Sequence, residues 1–261
     1  MAPFPFDDVQ LLRRSGPVEV LSGTSRRNGQ RVAVKRLVAG SVEPDAMTLQ
    51  RFRREMLIAR VVQHSGIAAC LDAADDWMAF EWLKDGLDDR MIQQRFTRPS
   101  ALRSLVSRIA ETLAYLHGRG VTHADIKPAH IRFRADQPVL IDLGIATIGA
   151  QDPVAERELA GSPRWMAPEV IAGGAPAPAA DVWSLCAVAA WLANGSPSNA
   201  SDADTILDLR NDGAALPEHS IDGVRGQDRE LGAILEAGLG PMTARPSAAN
   251  LTYLISRSTA G

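Results

Sequence analysis

The chain has little lysine, little cysteine and little net charge. Of its 28 basic residues only Lys35, Lys84 and Lys127 are lysines, so arginine supplies almost every surface cation. The net charge of −3 makes no strong electrostatic case for binding nucleic acid or an anionic membrane. The two cysteines, Cys70 and Cys186, lie in apolar segments without metal-ligand spacing, which is typical of reduced thiols in a cytoplasmic protein.

Long hydrophobic runs are also absent. The longest covers residues 182–193, and a membrane-spanning helix needs about 20 apolar residues, so this run predicts a fully buried helix. The N-terminus has neither the basic nor the apolar region of a signal peptide. These features predict a cytoplasmic protein without a membrane span. With 46% apolar residues among 261, the chain is long enough to bury a sizeable core.

Strand patterns dominate the first 84 residues. Residues 30–37 are the clearest strand, with Val32, Val34 and Leu37 among polar neighbours, and they follow a hairpin turn at 27–29. A helix is predicted at about 44–62, and two short runs, at 67–73 and 77–83, resemble paired strands. The sequence therefore predicts a small β-rich N-terminal unit with one helix that ends near Lys84.

Helical patterns dominate the remainder. Pro99 begins an amphipathic helix that Gly118 and Gly120 end, and a strand is predicted at about 138–141. The glycine- and alanine-rich segment 172–180 is predicted to be a loop between helices. Weaker helices are predicted at about 202–210, 228–238 and 246–257. The fold class is therefore α+β, with a mainly α C-terminal unit.

Seven short motifs follow one another along the chain. They are VAVK (32–35), Glu55 inside the next helix, HADIKPAH (123–130), DLG (142–144), APE (167–169), DVWSL (181–185) and RP (245–246). Each is weak alone, but the seven in this order are highly specific. The chain resembles a eukaryotic-like (Hanks-type) Ser/Thr protein kinase over nearly its whole length. This resemblance implies a single bilobal kinase domain over 1–261, with a small N-lobe at about 1–84 and a larger, mainly α C-lobe at about 85–261.

The resemblance assigns the catalytic residues. Phosphoryl transfer needs cationic groups that contact the phosphates, a bound metal ion and a carboxylate that orients the attacking hydroxyl. Lys35 would contact the α- and β-phosphates of ATP, and Glu55 would hold the Lys35 ammonium group in place. The alternatives are that Lys35 is an exposed strand cation and that Glu55 lies on a solvated helix face. Asp125 would be the base, and Lys127 would bridge to the γ-phosphate. Two of the three lysines, Lys35 and Lys127, thus fall where a kinase needs an ammonium group, which arginine does not replace.

The resemblance also assigns metal and nucleotide contacts. Asp142 would chelate Mg²⁺ across the phosphates, with His130 at the second metal-ligand position. The nucleotide contacts, besides Lys35, would be Gly16, Val18, Ala33, Glu81, Leu83 and Arg132. Asp181 is expected to accept hydrogen bonds from the backbone of the catalytic loop. Glu169 and Arg245 are expected to form the family's buried ion pair.

Two segments depart from the family pattern. Where the glycine-rich loop belongs, only Gly16 falls on a glycine position, Leu11 and Arg13 occupy the others, and Pro17 has no N–H for phosphate. Ala124 replaces the arginine that ordinarily pairs with a phosphorylated activation loop. The segment 142–169 holds only two hydroxyl residues, at 147 and 162. The sequence therefore predicts a kinase that activation-loop phosphorylation does not switch on.

Two further departures concern the metal ion and the adenine of the nucleotide. His130 replaces an asparagine, and imidazole suits Mg²⁺ poorly, so Mn²⁺ becomes an alternative. Arg132 replaces the leucine beneath the adenine, and a cation there should weaken nucleotide binding unless it stacks on the base or turns away.

Three functions remain open. The first is an ATP-dependent protein Ser/Thr kinase, slow or metal-selective, acting on a protein substrate. The second is a pseudokinase that serves as a scaffold for a protein partner, with or without nucleotide. A small-molecule phosphotransferase is less favoured, because APE, DVWSL and the distal arginine belong to a platform for protein substrates. The oligomeric state stays open, and the alanine and arginine bias indicates a GC-rich bacterial genome.

Overall fold

The computed structural model describes residues 4–38, 44–149, 161–195 and 220–258. The chain divides into two compact units, Met1–Lys84 and Asp85–Gly261. The helix predicted at 202–210 lies outside the described residues. None of the helices within the described ranges is long and apolar enough to cross a membrane.

The N-terminal unit is built on a five-stranded antiparallel sheet. Its strands are β1 (Phe6–Ser15), β2 (Val18–Ser25), β3 (Arg31–Leu37), β4 (Cys70–Ala74) and β5 (Trp77–Glu81), in the spatial order β1-β2-β3-β5-β4. Gly16 and Gly29 make the first two turns with positive φ angles of 55° and 68°. Glycine tolerates this conformation without the steric cost that a Cβ would bring. The predicted strands at 30–37, 67–73 and 77–83 are present; the first and third are one or two residues shorter, and the second begins three residues later and ends one residue later than predicted.

Helix α1 (Ala46–Val61) covers one face of this sheet. It begins after Asp45, whose side chain accepts the Thr48 N–H at 2.7 Å, as a helix N-cap does. Phe52 and Met56 of the helix pack with Met78 of β5. Phe6 packs in a separate cluster of buried side chains on the sheet, which also contains Leu21, Val32, Val34 and Ala79. Both faces of the sheet therefore bury apolar side chains.

The C-terminal unit is mainly helical in its described part. Its helices are α2 (Arg90–Gln93), α3 (Pro99–His117), α4 (Pro168–Ile171), α5 (Pro178–Ala193), α6 (Asp222–Gln227), α7 (Arg229–Gly238) and α8 (Ala248–Ser258). Two short ribbons join them, one of β6 (Val121–Thr122) with β9 (Thr147–Ile148) and one of β7 (Ile131–Arg134) with β8 (Gln137–Leu140). The α+β architecture predicted from the sequence is therefore the observed one.

Helix α5 is the centre of this unit. All its residues from Ala180 to Leu192 are buried, which agrees with the apolar run that predicted a buried helix. It begins at Pro178, because proline is well suited to the first turn of a helix, where its missing N–H has no partner to lose. The predicted loop at 172–180 is therefore shorter than expected. Helix α3 contacts both α5 and α8, and Arg103 pairs with Asp228 at the start of α7.

Candidate active site

Strand β3 and helix α1 bring together the predicted Lys35–Glu55 pair. The Lys35 Nζ atom lies 2.6 Å from Glu55 Oε2, and the two side chains are 16% and 2% exposed. Lys35 is therefore not the exposed strand cation that the sequence allowed, and Glu55 is not a solvated helix residue. A charge buried to this degree requires a partner, and each residue supplies one to the other.

The strand register decides which residues lie beside Lys35. Val20 lies directly opposite Lys35, whereas Val18 lies opposite Leu37. Ala33 lies between Ser22 and Phe80. Residues directly paired across antiparallel strands share a face, so Val20 is a nucleotide-contact candidate that sequence reasoning missed. Counting outward from a four-residue turn at 26–29 gives this pairing, whereas the predicted turn at 27–29 is one residue too short and would place Leu21 opposite Lys35.

The segment at the glycine-loop position forms a tight hairpin. Strands β1 and β2 pair up to Ser15 and Val18, with Gly16 and Pro17 in the turn. The Leu11 and Arg13 side chains are exposed. The strands pair through the segment where the family's glycines would be, with a register shift between Leu11 and Arg13.

Glu81 and Leu83, two of the expected nucleotide contacts, lie at and just after the end of β5. The Glu81 carboxylate accepts the Ala69 N–H at 2.8 Å and so braces the end of β5, and Leu83 is half-buried. Between them, Trp82 has the Arg31 guanidinium 4.4 Å from its ring centroid, a cation–π contact that the sequence did not predict.

Asp181 fixes the backbone of the catalytic loop. This residue lies in the first turn of α5 and is 1% exposed. Its carboxylate accepts the N–H groups of His123 and Ala124 at 2.9 and 2.8 Å, as predicted, and lies 2.8 Å from His117 Nε2. Ala124 has a φ of +66°, a left-handed conformation that is costly for a non-glycine residue. The buried carboxylate therefore holds a strained backbone in place.

The Asp125 carboxylate lies at the centre of the site. Its Oδ2 atom accepts a hydrogen bond from Lys127 Nζ at 2.7 Å, and the same ammonium donates to Ser162 Oγ at 2.7 Å. The Asp125 side chain is only 10% exposed. Ile126, between the two charged residues, is fully buried and anchors the loop. The predicted base and the predicted phosphate lysine are therefore adjacent, with a serine hydroxyl completing the cluster.

His123 braces this loop from the inside. The ring is fully buried. Its Nδ1 atom accepts the Asp125 N–H at 3.3 Å, and its Nε2 atom donates to the Ile141 carbonyl at 3.3 Å. Both ring nitrogens thus hold backbone groups beside Asp125 and Asp142, which supports a bracing role for His123.

His130 lies between two carboxylates. Its Nδ1 atom donates to the backbone carbonyl of Asp125 at 3.0 Å, and its Nε2 atom is 3.5 Å from Asp142 Oδ2. Burial lowers the pKa of His130 to about 4, against the opposing effect of the Asp125 and Asp142 charges. The imidazole is therefore neutral at pH 7. Because the proton is on Nδ1, the lone pair is on Nε2, the atom nearer to Asp142.

Asp142 follows β8 in a left-handed conformation with a φ of +64°. Its Oδ1 atom accepts the Gly144 N–H at 3.1 Å, which orients the carboxylate. The side chain is 34% exposed, more than the other acidic groups of the site. No group of three or more His, Cys, Asp and Glu side chains within the described ranges is arranged to hold a metal ion.

Arg132 turns toward an acidic neighbour. Its guanidinium lies 3.2 Å from Asp88 Oδ1, and strand β7 bridges to Gly86 at this residue. A Cβ atom on Gly86 would lie 2.2 Å from Arg132 Nη1, so the glycine makes room for the guanidinium. Two exceptions were considered from the sequence, stacking on the adenine and turning away from it. The contact between the Arg132 guanidinium and the Asp88 carboxylate supports the second.

Arg245 and Glu169 form the predicted ion pair. Two bonds of 2.6 and 2.9 Å join the guanidinium to the carboxylate, and Arg245 is 1% exposed. Further bonds run from Arg245 to the carbonyls of Gly240 and Ala179. This bidentate geometry is one that lysine cannot reproduce. The pair fastens the 167–169 segment to the start of α5 and to the residues after α7.

Comparison with known proteins agrees with this geometry. Residues 15–221 match the family model described as "Protein kinase domain". The chain therefore belongs to the protein kinase family, the class indicated by its fold and by the Asp125 and Lys35 clusters.

The chain is similar to several curated kinases. It is 30% identical over 260 residues to the serine/threonine-protein kinase AfsK of Streptomyces coelicolor, covering 92% of this chain and 31% of that protein. It is 30% identical over 224 residues to AfsK of Streptomyces griseus, covering 78% of this chain and 28% of the relative. The serine/threonine-protein kinase PAK mbt of Drosophila melanogaster is 30% identical over 186 residues, covering 68% of this chain and 28% of that protein. The chain thus spans less than a third of the length of these relatives.

Proposed function

We propose that this chain is an ATP-dependent protein Ser/Thr kinase that transfers the γ-phosphate of ATP to a protein hydroxyl. The observation that carries the proposal is the Asp125 carboxylate, 2.7 Å from Lys127 Nζ on a loop that Asp181 holds in a strained conformation. Strain of this kind persists where the surrounding structure enforces it, and it is concentrated at functional sites. Residues 1–261 act in this proposal as one kinase domain.

The residues have separate roles. Asp125 orients the substrate hydroxyl and accepts its proton as the oxygen bonds to the γ-phosphorus and the bond to the ADP oxygen breaks. Lys127 contacts the γ-phosphate. Lys35, held by Glu55 at 2.6 Å, contacts the α- and β-phosphates. Both ammonium groups place positive charge where the transferring group carries negative charge.

The residues that would hold a metal are Asp142 and His130. Within the described ranges, no cluster of protein ligands could hold an ion alone. Kinase metal sites of this kind complete their coordination with phosphate oxygens and water, so the donor set fits an ion that arrives with the nucleotide. When bound, the ion neutralises charge on the phosphates. Asp142 suits Mg²⁺, whereas the nitrogen of His130 suits it poorly, and this supports a slow or metal-selective enzyme.

Control by activation-segment phosphorylation has little support in this chain. Between 142 and 169 the only hydroxyl residues are Thr147 and Ser162. Thr147 is 2% exposed, and the Ser162 hydroxyl accepts a hydrogen bond from Lys127 at 2.7 Å. Ala124 offers no guanidinium for a phosphate. We therefore propose that activity does not require phosphorylation of this segment.

A pseudokinase scaffold is the second candidate. The tight hairpin at Gly16–Pro17 favours it, because glycine-loop amides normally approach the phosphates. Arg132 in place of an apolar floor also favours it. Against it stand Lys35, Asp125 and Asp142, the three residues that pseudokinases commonly lose and this chain retains.

Phosphate transfer from labelled ATP tests the proposal. The acceptors are the protein itself and a generic basic protein, with Mg²⁺ and Mn²⁺ in parallel. Asp125→Ala should reduce labelling by at least about 100-fold, because a positioned base contributes that much or more. Asp136→Ala is the matched control, since Asp136 is 80% exposed and pairs with Arg95 outside the cluster.

Three results can be told apart. Labelling that the Asp125→Ala substitution removes and the Asp136→Ala substitution preserves would establish the kinase. No labelling with either metal and no ATP-induced rise in melting temperature would leave the scaffold. No labelling with a clear ATP-induced rise would leave a nucleotide-binding scaffold.

A further inference from the structure

We infer that His130 is a direct metal ligand together with Asp142, and that this nitrogen–oxygen pair makes the site select a divalent first-row transition ion over Mg²⁺. The inference deepens the proposed function and rests on it for the nucleotide that completes the coordination. It concerns which ion the site takes and which atom of His130 binds it.

The orientation of the imidazole is the first support. Its Nδ1 proton is donated to the Asp125 carbonyl at 3.0 Å, and a carbonyl can only accept. The lone pair is therefore on Nε2, the nitrogen that faces Asp142. Metal-binding histidines in proteins are oriented in this way, with the second ring nitrogen donating to a carbonyl or carboxylate. The ring is 5% exposed, so its surroundings hold this orientation.

The carboxylate provides the second support. The Asp142 Oδ1 atom accepts the Gly144 N–H at 3.1 Å, and its Oδ2 atom lies 3.5 Å from His130 Nε2. Two ligands that each bind one ion at about 2.1 Å are separated by about 3.0 Å in octahedral and about 3.4 Å in tetrahedral geometry. The observed separation is close to these values, so a small movement of the partly exposed carboxylate would complete the pair.

The chemistry of the donor atoms decides the selectivity. Mg²⁺ demands oxygen ligands and gives up its water reluctantly, whereas imidazole binds the later first-row ions well. An asparagine at position 130 would offer an amide oxygen instead. Exchange of that oxygen for a nitrogen should weaken the binding of Mg²⁺ relative to that of ions such as Mn²⁺ and Co²⁺.

A spectroscopic experiment tests the ligand directly. Mn²⁺ is added with a non-hydrolysable ATP analogue, and pulsed electron paramagnetic resonance detects nitrogen coupled to the manganese. Wild-type protein should show an imidazole nitrogen-14 coupling. When histidine is labelled with nitrogen-15, a nitrogen-15 coupling should replace it. His130→Asn should lose the coupling. His64→Asn, which removes an imidazole from the N-terminal unit, should keep it.

Metal competition tests the selectivity. The ratio of Mg²⁺ to Mn²⁺ that displaces half of the bound manganese should fall at least about tenfold in His130→Asn. Removal of a residue that only hydrogen-bonds to a metal ligand already changes metal affinity by about this much. His130→Gln, with a longer amide, serves as the second variant if the asparagine variant does not fold. Melting temperatures of the variants establish that they are folded.

The inference is overturned if the wild-type spectrum with bound manganese lacks the imidazole coupling, if His130→Asn retains it, or if the protein binds no manganese–nucleotide complex. An unchanged metal ratio would overturn the selectivity. These measurements need no phosphate transfer. A protein with the coupling but no labelling would therefore disprove the kinase and leave the metal ligand established.

Discussion

Lys35 Nζ lies 2.6 Å from Glu55 Oε2, and only 2% of the glutamate side chain is exposed. A carboxylate removed from water so completely depends on its cation. The carboxylate in turn fixes the position of the ammonium group. This pair joins β3 to α1.

Lys35→Arg should reduce ATP-dependent labelling by at least about 100-fold, or about 3 kcal/mol of activation free energy. The guanidinium keeps the charge but is larger and planar, so it does not reproduce the compact ammonium at a buried partner. Lys84→Arg is the control, because Lys84 is exposed. Equal labelling of the two variants would contradict the role given to Lys35.

Asp181→Ala should lower the free energy of unfolding by about 3 kcal/mol, since the buried His123 N–H and the partly buried Ala124 N–H lose their acceptor and each unsatisfied group costs about 1–3 kcal/mol. Urea denaturation measures it. Labelling should also fall, because Ala124 would no longer be held in its left-handed conformation. Asp75→Ala, at an exposed turn, is the comparison. Identical stability of the two variants would show that the Asp181 contacts contribute little.

Arg132→Leu should tighten ATP binding by about tenfold, because leucine would supply apolar surface at the position that the family uses beneath the adenine, where Arg132 instead directs its guanidinium to Asp88. Isothermal titration calorimetry gives the dissociation constants. Arg134→Leu is the matched control, two residues along the same strand on the same face. Weaker binding by Arg132→Leu would mean that the guanidinium itself contacts the nucleotide.

The His130 imidazole should make the protein less stable in acid. Its pKa is about 4 in the folded protein and about 6.5 in the unfolded chain, so between these values the unfolded chain binds the extra proton. Stability is therefore lost as pH falls from about 6.5 to about 4, by up to about 1.4 kcal/mol per pH unit. Unfolding curves across this range should show a smaller slope for His130→Asn. Parallel curves would contradict the neutral buried imidazole.

Much of the backbone could be predicted from the sequence. The strand pattern at 30–37 and the helical spacing after Pro99 reflect side chains that must be buried on one face, so local pattern and tertiary packing agree. The least accurate boundary was at 172–180, where Pro178 begins α5 instead of ending a loop. Proline disfavours helix only in its interior, and composition alone does not distinguish the two positions.

Contacts between buried charges were also predictable. Lys35 with Glu55 and Glu169 with Arg245 were expected as pairs, and both pairs are present. Buried charge needs a partner of opposite sign, and the motif order names the candidates. The roles of these residues in catalysis stay predictions until the variants are measured.

The sequence by itself determined the α+β architecture, the family and the identity of the chemical groups, because periodicity and motif order are properties of the chain. Only the tertiary structure decided how those groups are oriented. It placed Val20 across from Lys35, turned Arg132 toward Asp88 and aimed His130 Nε2 at Asp142. Strand register and side-chain rotamers depend on neighbours that are distant in sequence, and a motif contains no information about them.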